Sequence, residues 1–139
     1  METQVPNVEQ FYYDYLKEEG YRPIKYDDGD ISFKHEGNNY IINIDNDDPA
    51  FFRISSIYGL KCDNKTKAYK IASETTKLKK MVKTIIIEED NEIVIIIAIE
   101  CILNMWLDFK INLDRWLKAM DSAIYYFVKN MIEEENHEF

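Results

Sequence analysis

The chain has 139 residues with 17 basic and 26 acidic side chains, a formal charge of −9. That length fits one hydrophobic core, since single cores usually divide only beyond roughly 250–300 residues. At 46% hydrophobic and 31% charged residues it is too apolar for a disordered chain. Its negative field repels phosphate backbones, so no nucleic-acid partner is expected. The opening METQVPNVEQ has neither a basic segment nor an apolar run of signal-peptide length. The longest apolar run, Ile93 to Ile99, is seven residues, whereas a bilayer crossing needs about 20. A cytoplasmic protein without a membrane segment is therefore expected. Cys62 and Cys101 lie in separate segments and form no C-x-x-C pair or disulfide framework. The sequon Asn64-Lys65-Thr66 is a coincidence in a chain that is not secreted.

In chain order, Asn7 followed by Gln10 has the form of a capping box. Val8, Phe11, Tyr12, Tyr15 and Leu16 then recur at helical spacing, and Gly20 supplies a left-handed stop, which predicts a helix from Val8 to Glu19. Three short strands follow, at Tyr21–Tyr26, Ile31–Glu36 and Tyr40–Asp45. The turns Asp27-Asp28-Gly29-Asp30 and Gly37-Asn38-Asn39 separate them, which favours an antiparallel meander. Ile31 and Phe33 alternate with Ser32 and Lys34, so one face of this part of the sheet is wet. Asn46-Asp47-Asp48-Pro49 breaks the ladder before a fourth extended segment, Phe51 to Tyr58.

Asp63 or Asn64 caps a second helix, Lys65 to Lys80, with a narrow stripe of Ala68, Ile71, Ala72, Thr75 and Leu78. Thr84–Glu88 and Glu92–Leu103 form a second hairpin across Glu89-Asp90-Asn91. The last helix starts at Asp108 or Asn112, behind a loop holding Trp106, and runs to Glu134. Leu113, Trp116, Leu117, Met120, Ile124, Phe127, Val128 and Met131 line one face of it. The expected class is α+β, a mainly antiparallel twisted sheet flanked by helices in the order α-β-β-β-(β)-α-β-β-α. A single domain is expected, with its ordered core from about residue 7 to 134.

The opening FYYDYLKEEGY leads into DGDISFKHEGNNYIINIDNDDPAFFRI, and the chain closes on DFKINLDRWLKAMDSAIYYFVKNMIEE. Together these resemble the YbjN-like domains, a bacterial family proposed to regulate sensory transduction. Their fold is similar to that of type III secretion chaperones. The resemblance runs from about Val8 to Glu134 and rests on element order and turn punctuation. It implies a helix-flanked twisted sheet, frequent dimerisation and protein-binding roles, and it brings no catalytic residues. The isoleucine-rich strand departs from a mixed family pattern.

That strand is the most informative segment. Ile93, Ile95, Ile97 and Ile99 share one face, while Val94, Ile96 and Ala98 share the other. Both faces are apolar and both need cover, which an antiparallel sheet with one wet face would not require. The first and last helices can cover one. The second helix either covers the other or leaves part of it, at Val94 and Ile96, to a second copy or a client protein.

Between Lys61 and Lys83, eight lysines face Asp63 and Glu74, which leaves +6 here and −15 on the rest. This is either a solvated helix face or a basic strip, including Lys67, Lys70 and Lys77, that docks an acidic partner or an anionic ligand. Asn43, Asp45 and Asp47 alternate as in a calcium loop, but Asp48 stands where that loop needs glycine and Ile54 where it needs a glutamate. Turn chemistry, not metal binding, is expected there. His35 is placed on the polar side of its strand, and no nucleophile elbow, phosphate loop or zinc motif occurs. No cofactor, metal or catalytic residue is assigned.

The expected function is a non-enzymatic protein-interaction module, a homodimer that binds a protein client or regulator. The alternative is a small-ligand or signal-sensing domain with a pocket between sheet and last helix, and third comes an unrecognised enzyme. A sensor should show a closed apolar cavity with convergent polar groups, an interaction module an open apolar face.

Overall fold

A computed structural model describes residues 8–60, 64–90 and 92–136. The elements are α1 (Val8–Glu18), β1 (Ile24–Lys25), β2 (Ile31–His35), β3 (Asn38–Asn43), β4 (Phe51–Leu60), α2 (Lys65–Leu78), β5 (Lys83–Glu89), β6 (Glu92–Ile102) and α3 (Trp106–Asn136). The strands form one antiparallel open sheet in the order β1-β2-β3-β4-β6-β5, which is the expected α+β class and element order. Residues through Ser55 with Glu100–Leu113 form one compact unit; Ser56–Ile99 with Asp114 onward form another.

In the first unit α1 ends at a glycine stop. Gly20 has φ +95°, its N–H donates to the Lys17 carbonyl at 3.1 Å, and Tyr21 N–H donates to the Leu16 carbonyl at 3.0 Å. This satisfies carbonyls that a helix end would otherwise orphan. The proposed cap Asn7 lies outside the described residues. Strand β1 is only two residues long, because Tyr26 already turns back to accept the Gly29 N–H and to donate to the Asp30 carbonyl. The register Phe33↔Tyr40 and Ile42↔Ile54 puts Ile31, Phe33, Tyr40, Ile42 and Ile54 on one buried face. His35 follows the same parity and joins this apolar side. Its ring lies 6.1 Å from that of Tyr21 and 6.4 Å from that of Tyr40, which corrects its expected polar placement.

An aromatic cluster closes that core. The Phe109 ring, fully buried, has its centre 4.7 Å from Tyr12, 5.5 Å from Tyr15 and 5.6 Å from Phe52. Trp106 belongs to it as well, 5.3 Å from Phe11. The expected loop at Trp106 is thus the first turn of α3. The Asp108 carboxylate accepts the N–H groups of Asn104 and Met105, so the helix begins upstream of the aspartate instead of at it.

The second unit is built from the end of β4, the β5–β6 hairpin, α2 and most of α3. Asn64 Oδ1 accepts the Lys67 N–H at 3.0 Å and caps α2, which gives the sequon asparagine a local structural role. Asp63 and Cys62 lie outside the described residues. Ala68, Ile71, Ala72 and Thr75 are buried as their spacing predicts, but Leu78 is 58% exposed. It is the last helical residue, and Lys79 behind it turns to an extended conformation, so the stripe ends one turn earlier.

Tyr12 carries the largest local imbalance. It is 1% exposed and, among the described residues, its hydroxyl has no hydrogen-bond partner. Burial, and after it the nearby Cys101, push the phenol well above the ordinary tyrosine range. Replacing Tyr12 with phenylalanine removes an unsatisfied group while keeping the ring, so it should raise stability by about 1 kcal/mol. A thermal scan checks this, and a lowered midpoint would reveal a hydroxyl partner.

Candidate functional site

The β5–β6 hairpin decides which side of the second unit is open. Its register pairs Lys83↔Ala98, Ile85↔Ile96, Ile87↔Val94 and Glu89↔Glu92, and directly opposed residues point the same way. Thr84, Ile86 and Glu88 therefore share the other face with Ile93, Ile95 and Ile97. These three isoleucines are at most 1% exposed. Ile95 and Ile97 line a crevice with Phe127, Val128 and Met131 of α3, so α3 lies on that face. Helix α2 lies there too: Thr76 Oγ1 accepts the Thr84 N–H, Tyr69 hydroxyl donates to Glu88, and Lys67 reaches α3.

Both helices of this unit thus cover the same side. The choice left open by sequence is resolved against α2 as cover for Val94 and Ile96. Those two side chains are half-buried, as is Ile85, while Ile87 is 40% exposed. Ala98, only a methyl group, is buried. From β4, Gly59 turns the same way as Glu92, since a Cβ on it would meet Glu92 Oε1 at 3.2 Å. Ile57, two residues earlier and 51% exposed, therefore adds to this face. Ile57, Ile85, Ile87, Val94 and Ile96 form an aliphatic surface without a helix of its own unit over it. Period-two alternation located Val94 and Ile96; only strand pairing could add Ile57, whose neighbours in sequence carry no such signal.

The lysine-rich segment is not one uniform strip. Lys67 is 8% exposed and its Nζ donates to the Met131 carbonyl at 2.6 Å, so it is an internal tie between helices and not part of a docking surface. Its aliphatic stem fits the apolar side of α2 while its tip meets a carbonyl, a division that residue type alone does not announce. Lys65 pairs with Glu88 at 2.9 Å, and Lys79 lies over the Tyr126 ring at 5.4 Å. The Tyr69 hydrogen bond first, then Lys65, hold the Glu88 carboxyl below the usual range. Lys70 and Lys77 are exposed; Lys61 lies outside the described residues.

The acidic turns are occupied by the backbone. Asp28 accepts the Asp30 N–H, Asp45 accepts the Asp47 N–H, and Asp30 accepts from Ile44 N–H and Asn43 Nδ2. The first two are Asx-type turn bonds and the last two tie Asp30 to the end of β3; all compete with any cation for the same oxygens. Among the described residues no group of three or more metal-ligating side chains converges. Cys101 is a free, half-buried thiol, pushed up by burial and then by Asp108.

Two concavities bear on a small-molecule alternative. A groove of about 800 Å³ in the first unit is lined by Arg22, Ile24, Tyr26, Ser32, Lys34 and Ile41, several of them exposed. The crevice of the second unit, between β4, β6 and α3, holds about 160 Å³ and is lined almost wholly by apolar side chains. Val128, expected in the buried stripe, is 41% exposed at its mouth because it sits at the stripe's margin. Ligand pockets usually span about 300–1,000 Å³ with a few convergent polar groups. Neither concavity combines closure with such groups.

With the geometry established, the solved structure of YbjN from E. coli, described as a proposed transcription regulator, superposes with a TM-score of 0.72. The match covers 95% of this chain and 96% of that one at 11% identity. The fold is YbjN-like. No family model and no curated protein sequence matches the chain. The YbjN-like likeness thus agrees with the resemblance carried by the turn-rich first half and the long final helix, and at this identity it concerns architecture alone. Among the described residues no helix is long and apolar enough to cross a membrane.

Proposed function

We propose that this chain is a non-enzymatic, cytoplasmic protein-interaction module of the YbjN or secretion-chaperone-like kind, and that it docks partner chains on the open face of its hairpin. The observation that carries this is the aliphatic surface of Ile57, Ile85, Ile87, Val94 and Ile96, opposite the face on which α2 and α3 both lie. Aliphatic side chains left in water are a standing source of association energy, about 25 cal/mol for each Å² that a partner removes from solvent. Charged residues at the ends of the patch choose among partners. The pairing of two copies, expected from the resemblance, would use this same surface. A sensor of small molecules gains no support from the two concavities, one open and one too small.

The test is the double substitution Val94→Lys, Ile96→Lys. The changed protein should stay folded, with a stability loss below about 2 kcal/mol by urea titration, because neither position is fully buried and a lysine tip there can reach solvent. It should lose the partners that the wild-type chain retains in a quantitative capture experiment. Global unfolding of the variant would show these residues to be core, and unchanged capture by a folded variant would show the face to be idle.

A further inference from the structure

The groove of the first unit has a patterned floor and an unpaired margin. Ser32 lies opposite Ile24 on one side and Ile41 on the other, which makes a row of Ile24, Ser32 and Ile41 across three strands. Two residues along β2, Lys34 lies opposite Asn39 and forms a second row about 7 Å from the first. Arg22, two residues before Ile24 on the antiparallel segment, lines the groove at the same end as Lys34. Both cations are exposed, and among the described residues neither has an acidic partner. In a chain of charge −9, this groove sets a cationic row beside an aliphatic one.

The main chain adds a donor and an acceptor. Tyr26 N–H donates to the Asp30 carbonyl, and Ser32 opposes Ile24, so Asp30, Ser32 and Lys34 turn their peptide groups toward the β1 side. The ladder nevertheless ends at Ile24, and Arg22, which a longer strand would set against Lys34, stays outside it. The Lys34 N–H and carbonyl therefore open on the margin of the groove.

We propose that this groove binds an extended acidic segment of a partner protein with the pattern acidic-x-aliphatic. The carboxylate takes Arg22 and Lys34, the first of which offers the planar fork that pairs with a carboxylate through two hydrogen bonds. The aliphatic side chain two residues away lies on Ile24 and Ile41, since two residues of extended chain span the same distance as the two rows. The segment's own peptide group pairs with Lys34, as in strand addition to a sheet. An open groove that cannot enclose a small molecule is long enough and wet enough for a chain. Phosphate backbones would meet the same two cations, but the field of the whole molecule repels them and the aliphatic row offers no surface on which a base stacks. This site belongs to the first unit and does not depend on the docking role of the hairpin face.

The probe is the peptide Gly-Ser-Glu-Gly-Ile-Ser-Gly, capped at both ends and titrated into the isotope-labelled full chain while amide chemical shifts are followed. Saturable shifts are expected at Ile24, Ser32, Lys34 and Ile41, with a dissociation constant below about 1 mM. The double substitution Arg22→Glu, Lys34→Glu should weaken binding at least about tenfold, and both positions are exposed, so the fold is kept. Ile24→Ser should weaken it about threefold or more, as it removes aliphatic area from the contact. A peptide with lysine in place of glutamate should not bind. The Val94→Lys, Ile96→Lys variant should bind as wild type does, which separates this site from the hairpin face. Absence of saturable shifts, equal binding of the lysine peptide, or shifts centred on Ile85–Ile87 would each overturn the proposal. Shifts of the same amides on concentrating the chain without peptide would make a second copy the occupant and overturn the partner segment.

Discussion

Phe109→Ala is expected to cost about 3–5 kcal/mol, the range found when a buried aromatic ring is truncated and its cavity relaxes only partly. Phe109 is fully buried, and the rings of Phe11, Tyr12, Tyr15 and Phe52 all lie within 6.1 Å of it, centre to centre. Because those neighbours come from α1 and β4 and Phe109 itself from α3, the loss falls on the cluster that joins three elements of the first unit. Rigid rings cannot collapse into the vacated space as aliphatic chains can, which places the cost toward the upper end. Urea unfolding should show a lowered midpoint with an unchanged slope. A loss below about 1 kcal/mol would mean that the cluster is not the packing centre described.

Lys67→Met is expected to cost about 1.5–3 kcal/mol, the range for a hydrogen bond that involves a charged group. Methionine retains an unbranched stem of similar length, so packing along α2 is largely preserved and the lost bond to the Met131 carbonyl dominates. Lys70→Met and Lys77→Met are the controls: both side chains are exposed, and each change should stay within about 0.5 kcal/mol. The same urea titration separates the three. Equal, small effects at all three positions would return Lys67 to the solvated face on which residue type alone places it.

These two positions also show where sequence is a sufficient guide and where it is not. The buried stripe of α3 apart from Val128, the glycine stop after α1, a polar cap on α2 at Asp63 or Asn64 (Asn64 in the structure) and the order of elements follow from local spacing and turn chemistry. Trp106 lies in α3 and not in a loop before it, because the Asp108 carboxylate reaches back to Asn104 and Met105 and lets the helix start earlier than Asp108 or Asn112. His35 shares parity with Ile31 and Phe33, and strand position, not side-chain polarity, sets the face it joins. Lys67 could not have been found locally, because the carbonyl that receives it is 64 residues away in the chain.

For the candidate site, alternation in Ile93–Ile99 identified two apolar faces and named Val94 and Ile96 as the pair in question. What alternation cannot say is which face the helices take, nor that Ile57 joins the exposed one. A strand has the same periodicity whichever side is covered.

By itself, then, the sequence determined the element order, the α+β class and the presence of a strand apolar on both sides, since all three depend on interactions within a few residues. The tertiary structure alone decided that α2 and α3 share one side of the hairpin, that Lys67 is interior, and that Arg22 and Lys34 line one groove with Ile24 and Ile41. Those facts arise from hydrogen-bond register and helix packing between distant segments, where every residue's surroundings are set by chain that lies far from it in the sequence.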